Sequence, residues 1–196
     1  MGVLPELLER GGPVVWPLLA LSVLSLTLVI ERCLFYARCG RRAWTRNAER
    51  AGERLRAGDA AGARAAVEGD AGVLAPVVRA AAAGGPGPAA AEARSQATRI
   101  ERFLPWLGVV VSAAPMLGIL GTVLGIISSF DALSTPGSGG PADPRAVGGG
   151  IAEALVSTAA GLVVTLVTLP AWVFLRGRAD RLLDRLEGLL AAADGA

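Results

Sequence analysis

The sequence contains no histidine, no lysine, one tyrosine and two cysteines, and charged residues make up only 18% of it. The absence of histidine excludes the commonest general base, metal ligand and pH switch of proteins. The two cysteines, Cys33 and Cys39, are too few for a disulfide framework or a four-ligand zinc site. We therefore expect a protein that is not an enzyme and that carries no metal and no cofactor.

The shortage of charge is accompanied by long apolar runs. A soluble domain carries about 25% charged residues, whereas this chain of 196 residues is 53% hydrophobic and has a mean hydropathy of +0.51. A membrane-spanning helix needs about 17–25 mainly apolar residues, and three stretches provide them. We predict an all-α membrane protein with transmembrane helices at residues 13–30, 103–130 and 146–175.

Arginine is distributed unevenly among the segments that flank these spans. Of the 19 arginines, 17 lie in residues 31–102 or 176–196, and the other two are Arg10 and Arg145. Basic residues are enriched in the loops on the cytoplasmic side of a membrane. We therefore predict that both arginine-rich segments are cytoplasmic. The N-terminal segment 1–12 and the loop 131–145 are then periplasmic.

The longer predicted cytoplasmic segment is rich in alanine and arginine, which favour helices. Its Gly-Asp pairs at 58–59 and 69–70 predict breaks between short helices, and residues 84–88 (GGPGP) predict a hinge or flexible loop. From Ala89 we expect a helix that runs through Glu101 into the second span. Eight carboxylates are interleaved with the arginines. This favours a solvated helical bundle and argues against a nucleic-acid partner.

The segment that follows the third span has an amphipathic pattern. Five leucines fall on one face of a helix, so we expect the third span to continue as an amphipathic helix. That face should pack against the longer cytoplasmic segment or a neighbouring subunit. The leucines are Leu182, Leu183, Leu186, Leu189 and Leu190.

Glu153 is the only charged residue within a predicted span. A charge at that depth costs about 2.5–3.5 kcal/mol, and such residues usually face a bundle interior or a water-filled path. One alternative is that the span begins at Ala154, which leaves Glu153 at the membrane interface. At about 100° per residue, however, the polar residues and glycines from Gly150 to Thr168 fall within about 140°. This sector runs from Glu153 through Ser157, Gly161 and Thr165 to Thr158.

This polar sector has two interpretations. It can be a packing surface, in which small residues let helices approach and hydroxyl groups bond across. It can also be the wall of a hydrated pore, because a hydroxyl group both donates and accepts hydrogen bonds. The carboxylate at the end of the sector favours the pore.

The second span carries a matching face. Its small or hydroxylated residues recur at i, i+4, i+7 and i+11 and are Gly118, Thr122, Gly125 and Ser129. Pro115 should bend the helix and leave a carbonyl without its helical partner. Since three spans are too few to enclose a channel, we expect a homo-oligomer. The residues that we assign to helix packing are Pro115, Gly118, Gly121, Gly125 and Gly161.

Two motifs on these helices carry a family resemblance. Residues 114–126 are APMLGILGTVLGI, and residues 151–162 are IAEALVSTAAGL. In this order, and on consecutive predicted helices, they resemble the motifs of the MotA/TolQ/ExbB family of proton-channel subunits. Three spans with an outside N-terminus resemble the ExbB/TolQ branch, since the flagellar stator subunits of the family have four spans.

The resemblance implies the pore-wall subunit of a motor that is driven by the proton-motive force. It implies a homo-oligomer, a pentamer, around the single membrane helices of an ExbD/TolR-like partner whose Asp takes up and releases protons. Motion would pass to a TonB/TolA-like envelope protein. Thr122 and Thr158 occupy the family's pore-lining positions, and Glu153 occupies its carboxylate position. Ser157 and Thr165 complete the proton pathway that we predict.

A second hypothesis is a non-conducting oligomeric membrane scaffold that associates through its small-residue faces. This hypothesis explains the glycine spacing and the arginine bias. It does not explain Glu153 together with its polar sector. Both hypotheses require the lipid bilayer as a partner, and only the first requires protons.

Overall fold

The structure, a computed structural model, describes residues 11–39, 42–134 and 144–195. Residues 1–10 of the predicted periplasmic segment and 135–143 of the predicted loop lie outside the described residues. The described residues are mostly helical and include no β-strand, and the predicted all-α class is confirmed. Its helices are α1 (Val15–Cys39), α2 (Arg42–Arg56), α3 (Ala60–Ala66), α4 (Ala75–Gly84), α5 (Pro86–Glu101), α6 (Leu104–Ser134) and α7 (Pro144–Asp194).

Three helical stretches are long and apolar enough to cross a membrane. They are Val15–Cys39, Pro86–Leu133, which joins α5 to most of α6, and Val147–Asp194. Large apolar side chains are exposed along them; Met116 is 71% exposed and Leu166 is 73% exposed. Contiguous apolar surface of this extent is unfavourable in water but suits a lipid environment. The expectation of three apolar spanning helices is confirmed.

The chain divides into two compact units. The apolar unit consists of the described parts of residues 1–29 and 106–172, and the basic unit consists of those of 30–105 and 173–196. In the apolar unit, α1, α6 and α7 meet in one hydrophobic cluster. Its buried members are Val14, Leu18, Val110, Ala114 and Val164.

In the basic unit, α2 contacts both α3 and α4, and α4 packs against α5. The predicted breaks at 58–59 and 69–70 are confirmed, because Gly58 and Gly69 have φ angles of +75° and +71°. Only glycine adopts such angles without strain. The Asp59 side chain then accepts a hydrogen bond of 2.8 Å from the Gly62 amide and caps α3.

The hinge that the sequence predicts at residues 84–88 is much shorter in the structure. Only Gly85, with a φ angle of +74°, separates α4 from α5, and Pro86 is already helical. Proline is tolerated in the first turn of a helix, where its missing amide would have no partner. Pro86 and Pro88 therefore begin α5, so the predicted hinge is present as a single residue, Gly85, and the alternative of a flexible loop was wrong.

The helix expected to run from Ala89 into the second span is interrupted. α5 ends at Glu101, and Phe103 has a φ angle of +69° before α6 begins at Leu104. A positive φ angle is uncommon for a bulky residue. Pro105 lies in the first turn of α6, and its position in the sequence is the signal that predicts a helix start here.

Arg32 lies at this interruption and is 2% exposed. Its guanidinium donates to the carbonyl oxygens of Arg99, at 3.1 Å, and Ile100, at 3.5 Å. The Tyr36 hydroxyl donates to the Ile100 carbonyl at 2.7 Å. These carbonyls belong to the last turn of α5, where carbonyl groups have no amide donors within their own helix. α1 therefore caps α5, with Arg32 also paired to Glu31.

The end of α7 packs as its leucine pattern predicts. Leu182, Leu186 and Leu189 are buried. A Cβ added to Gly52 of α2 would lie 3.2 Å from Leu189 Cδ2, and Arg185 pairs with Glu49 of α2 at 3.7 Å. Of the two expected packing partners, the structure shows the longer arginine-rich segment, residues 31–102.

We predict that Arg32→Ala destabilises the protein by about 2 kcal/mol, because it removes charge-assisted hydrogen bonds and leaves the Arg99 carbonyl without its donor, while Ile100 keeps only Tyr36. Thermal unfolding in detergent measures this. Arg38→Ala, at an exposed position on the same helix, is the matched control. Equal unfolding temperatures for the two variants would contradict the capping role.

Candidate functional site

The site predicted from the sequence lies along the seam between α6 and α7, where glycines let the two backbones approach closely. A Cβ added to Gly118 would lie 3.1 Å from the Thr158 Cα. One added to Gly125 would lie 2.6 Å from the Gly150 carbonyl oxygen, and one added to Gly161 would lie 2.5 Å from that of Ala114. The spaces at Gly125 and Gly161 are too small for a methyl group, and the space at Gly118 would be tight, so glycine permits the close approach of the seam.

The structure brings the predicted packing residues together in this seam. Gly121 faces Ser157, and a Cβ at Gly121 would overlap the Ser157 hydroxyl. Pro115 is half-buried within α6, next to the Ala114 carbonyl on which Gly161 packs. The glycines therefore serve contact between two helices of one chain.

Ser157 lies inside the seam rather than on an open face. It is fully buried, and its hydroxyl donates to the Ala154 carbonyl at 2.8 Å. With its hydroxyl engaged within α7 and Gly121 packed against it, Ser157 fills space between the helices. This placement argues against the pore-lining role that we predicted for it.

The three predicted pathway threonines lie on one edge of the seam and are half-buried. At about 100° per residue, Thr158 and Thr165 lie about 60° and 40° to one side of Gly161. On α6, Thr122 similarly lies about 40° to one side of Gly118. Val110, which packs in the cluster with α1, lies to the other side of Gly118. We call these residues, Thr122, Thr158 and Thr165, the threonine edge.

Each hydroxyl of the threonine edge has a backbone acceptor. Thr158 donates across the seam to the Gly118 carbonyl at 2.9 Å. Thr165 donates to Gly161 at 3.0 Å, and Thr122 donates to Ile119 at 2.5 Å, both within their own helices. Each oxygen keeps lone pairs with which it can accept a bond from water.

Glu153 lies on the opposite side of the seam from the threonine edge. Relative to Gly161 it is turned about 80° in the other direction, toward the beginning of α1. A Cβ added to Gly12 would overlap the Glu153 carboxylate, so the carboxylate packs directly against the Gly12 backbone. The structure therefore divides the single polar sector predicted from the sequence into three parts: Glu153 beside Gly12, Ser157 inside the seam, and the threonines at its edge.

A buried hydroxyl pair links α1 to α7 and was missed as a site by the sequence analysis. Thr168 donates to the Val164 carbonyl at 2.7 Å and lies 3.2 Å from the Ser25 hydroxyl, which donates to Ser22 at 2.9 Å. Serines 22 and 25 within the first apolar run are the signal that could have indicated this contact.

The chemistry of these groups suits water and protons. The threonine edge offers hydroxyl groups, and Glu153 offers a carboxylate that can bind and release a proton. In the described part of the chain, no three cysteine or acidic side chains lie close enough together to hold a metal ion.

Comparison with known proteins shows that this part of the chain is similar to one protein family. A family model described as the MotA/TolQ/ExbB proton channel family matches residues 89–188, about half of the chain. The putative biopolymer transport protein ExbB-like 1 of Synechocystis sp. is 33% identical over 184 residues, which cover 84% of this chain and 68% of that protein. The matched residues include the threonine edge and Glu153.

Shorter matches extend the comparison. The putative biopolymer transport protein ExbB homolog of Methanothermobacter thermautotrophicus is 39% identical over 90 residues, 46% of this chain and 30% of that protein. The Tol-Pal system protein TolQ of Pseudomonas aeruginosa is 38% identical over 87 residues, 44% of this chain and 36% of that protein. The chain thus spans about a third of the length of these two relatives.

We predict that Gly150→Ala destabilises the protein by about 1–3 kcal/mol, since overpacking forces backbones apart. The new Cβ would lie 2.7 Å from the Gly125 carbonyl oxygen and 3.0 Å from the Ser129 amide. Thermal unfolding in detergent measures the change.

The neighbouring Gly149→Ala is a matched control, because a Cβ there has no neighbour within 4 Å. Alanine should leave stability unchanged or raise it by up to about 1 kcal/mol through helix propensity. A Gly149 variant as unstable as the Gly150 variant would refute seam packing as the cause.

Proposed function

We propose that this chain, which belongs to the MotA/TolQ/ExbB proton channel family, forms the wall of a proton path in an inner-membrane motor. The observation that carries the proposal is the threonine edge. Two helices with largely apolar exposed faces present their hydroxyl groups on the same side of their seam, within the region that matches the family model.

The proposed path needs several copies of the chain and a partner. One seam supplies a single edge, so a ring of seams is required to enclose water; we propose a pentamer. An ExbD/TolR-like single-span subunit inside the ring would contribute the carboxylate that moves with the proton. This chain would form the wall of the path and would conduct protons without enzymatic chemistry, a metal or a cofactor.

The proposed output is mechanical work on a TonB/TolA-like envelope protein. The named relatives include biopolymer transport and Tol-Pal proteins, which supports an envelope role. One charge that crosses 100 mV releases about 2.3 kcal/mol, so several protons are sufficient to drive a conformational step. We propose a periplasmic N-terminus and a cytoplasmic C-terminus from the arginine bias.

We predict that Thr158→Val slows proton flow through the assembled complex. Valine has the shape of threonine without its hydroxyl, and loss of a hydrogen-bonding site worth about 1.4 kcal/mol corresponds to about tenfold slower flux. The measurement is proton uptake into liposomes under an imposed potential, with the partner subunit present. Thr158→Ser, which keeps the hydroxyl, should retain most of the flux.

The same assay separates a proton path from a non-conducting scaffold. Equal flux in the valine and serine variants would show that the Thr158 hydroxyl does not support conduction. A complete, stable complex that carries no flux in the wild-type form, even when supplied with the envelope partner, would favour the scaffold.

We predict that Glu153→Gln also lowers partner-dependent flux, because glutamine keeps the size of the side chain but cannot take up a proton at neutral pH. Glu187→Gln, which removes an exposed carboxylate of α7 in the basic unit, is the control. Full proton-driven activity in a well-folded Glu153→Gln complex would exclude a protonation role for this residue.

A further inference from the structure

The turn that precedes α1 receives the carboxylate of Glu153. Gly12 has a φ angle of +63°, and its carbonyl accepts a hydrogen bond of 3.3 Å from the amide of Val15, the first residue of α1. The Glu153 carboxylate fills the space that a side chain at position 12 would occupy. The Glu153 Cγ would lie 2.9 Å from a Cβ added to Gly12. The two residues are 141 positions apart in the sequence.

Gly12 differs in this respect from the other described glycines with positive φ angles. At Gly58, Gly69 and Gly85 an added Cβ would have no neighbour within 4 Å. Those glycines are explained by backbone conformation alone. At Gly12 the backbone conformation also favours glycine. A second cause applies there, because the carboxylate of another helix occupies the position that a side chain would take.

We propose that Gly12 is a positioning residue for Glu153. The bare backbone before α1 holds the carboxylate on the α1 side of the seam, away from the threonine edge. The first amides of α1 have no helical acceptors, and the positive end of the helix dipole favours a negative charge nearby. The turn before α1 thereby determines where Glu153 can exchange a proton. This inference rests on the proposed function.

The contact itself is tested by a double-mutant cycle on thermal unfolding, which does not depend on proton flow. Gly12→Ala is measured in the wild-type chain and in the Glu153→Ala chain. Alanine at position 12 should lower the unfolding temperature clearly more when Glu153 is present, because only then do the added methyl group and the carboxylate compete for space. Equal shifts in the two backgrounds would overturn the contact.

The control for backbone strain is Gly58→Ala. It imposes the same unfavourable φ angle without a neighbour, and its shift should be the same with and without Glu153. A Gly58 shift that also depended on Glu153 would show that the cycle reports general destabilisation, and this result would overturn the inference.

The functional consequence is tested by proton uptake into liposomes with the partner subunit. Misplacement of a reacting group by about 1 Å costs up to about a hundredfold in rate, so Gly12→Ala should lower flux about tenfold. Gly58→Ala should leave it unchanged. If Glu153→Gln lowers flux and Gly12→Ala leaves it normal, the positioning role is overturned and the proposed function stays intact.

The opposite failure is equally recognisable. If Glu153→Gln conducts normally, the role of Glu153 in the proposed function is lost, and the positioning role for proton exchange is lost with it. The thermal cycle still decides, on its own, whether the Gly12 contact exists.

Discussion

The close approach of α6 and α7 is the constraint on which the apolar unit depends. Without side chains at Gly118, Gly125 and Gly161, carbonyl oxygens and Cα atoms of the two helices meet directly. In a membrane, helix association depends on such packing and on hydrogen bonds between helices, since lipid is as apolar as the side chains. The hydrogen bond from Thr158 to Gly118 adds to this contact and forms the threonine edge in the same place.

Much of the fold follows from sequence periodicity and composition. Apolar runs predicted the three spanning helices, glycine-aspartate pairs predicted the breaks around α3, and the leucine spacing predicted the buried face at the end of α7. The break at Phe103 and the burial of Arg32 were not predicted. A single arginine on a helix looks the same in sequence whether it faces solvent or caps another helix, and only tertiary packing distinguishes the two.

The site was predictable in its members but not in their arrangement. Helical periodicity gives the direction of each residue on its own helix, and it placed Glu153, Ser157 and Thr158 in one sector. It does not reveal which neighbour lies opposite each direction. The structure puts α6 against Ser157, the turn before α1 against Glu153, and leaves Thr158 at the edge. A sector of 140° is wide enough for three different surroundings.

The interruption at Phe103 has a mechanical meaning. α7 is one helix of 51 residues, about 75 Å at 1.5 Å per residue, and its hydrogen-bond ladder lacks one donor at Pro170 without ending the helix. α5 and α6 share no such ladder, because the left-handed residue between them interrupts it. A twist can therefore pass along the helical backbone of α7, whereas the backbone of α6 has no hydrogen-bonded continuation into α5.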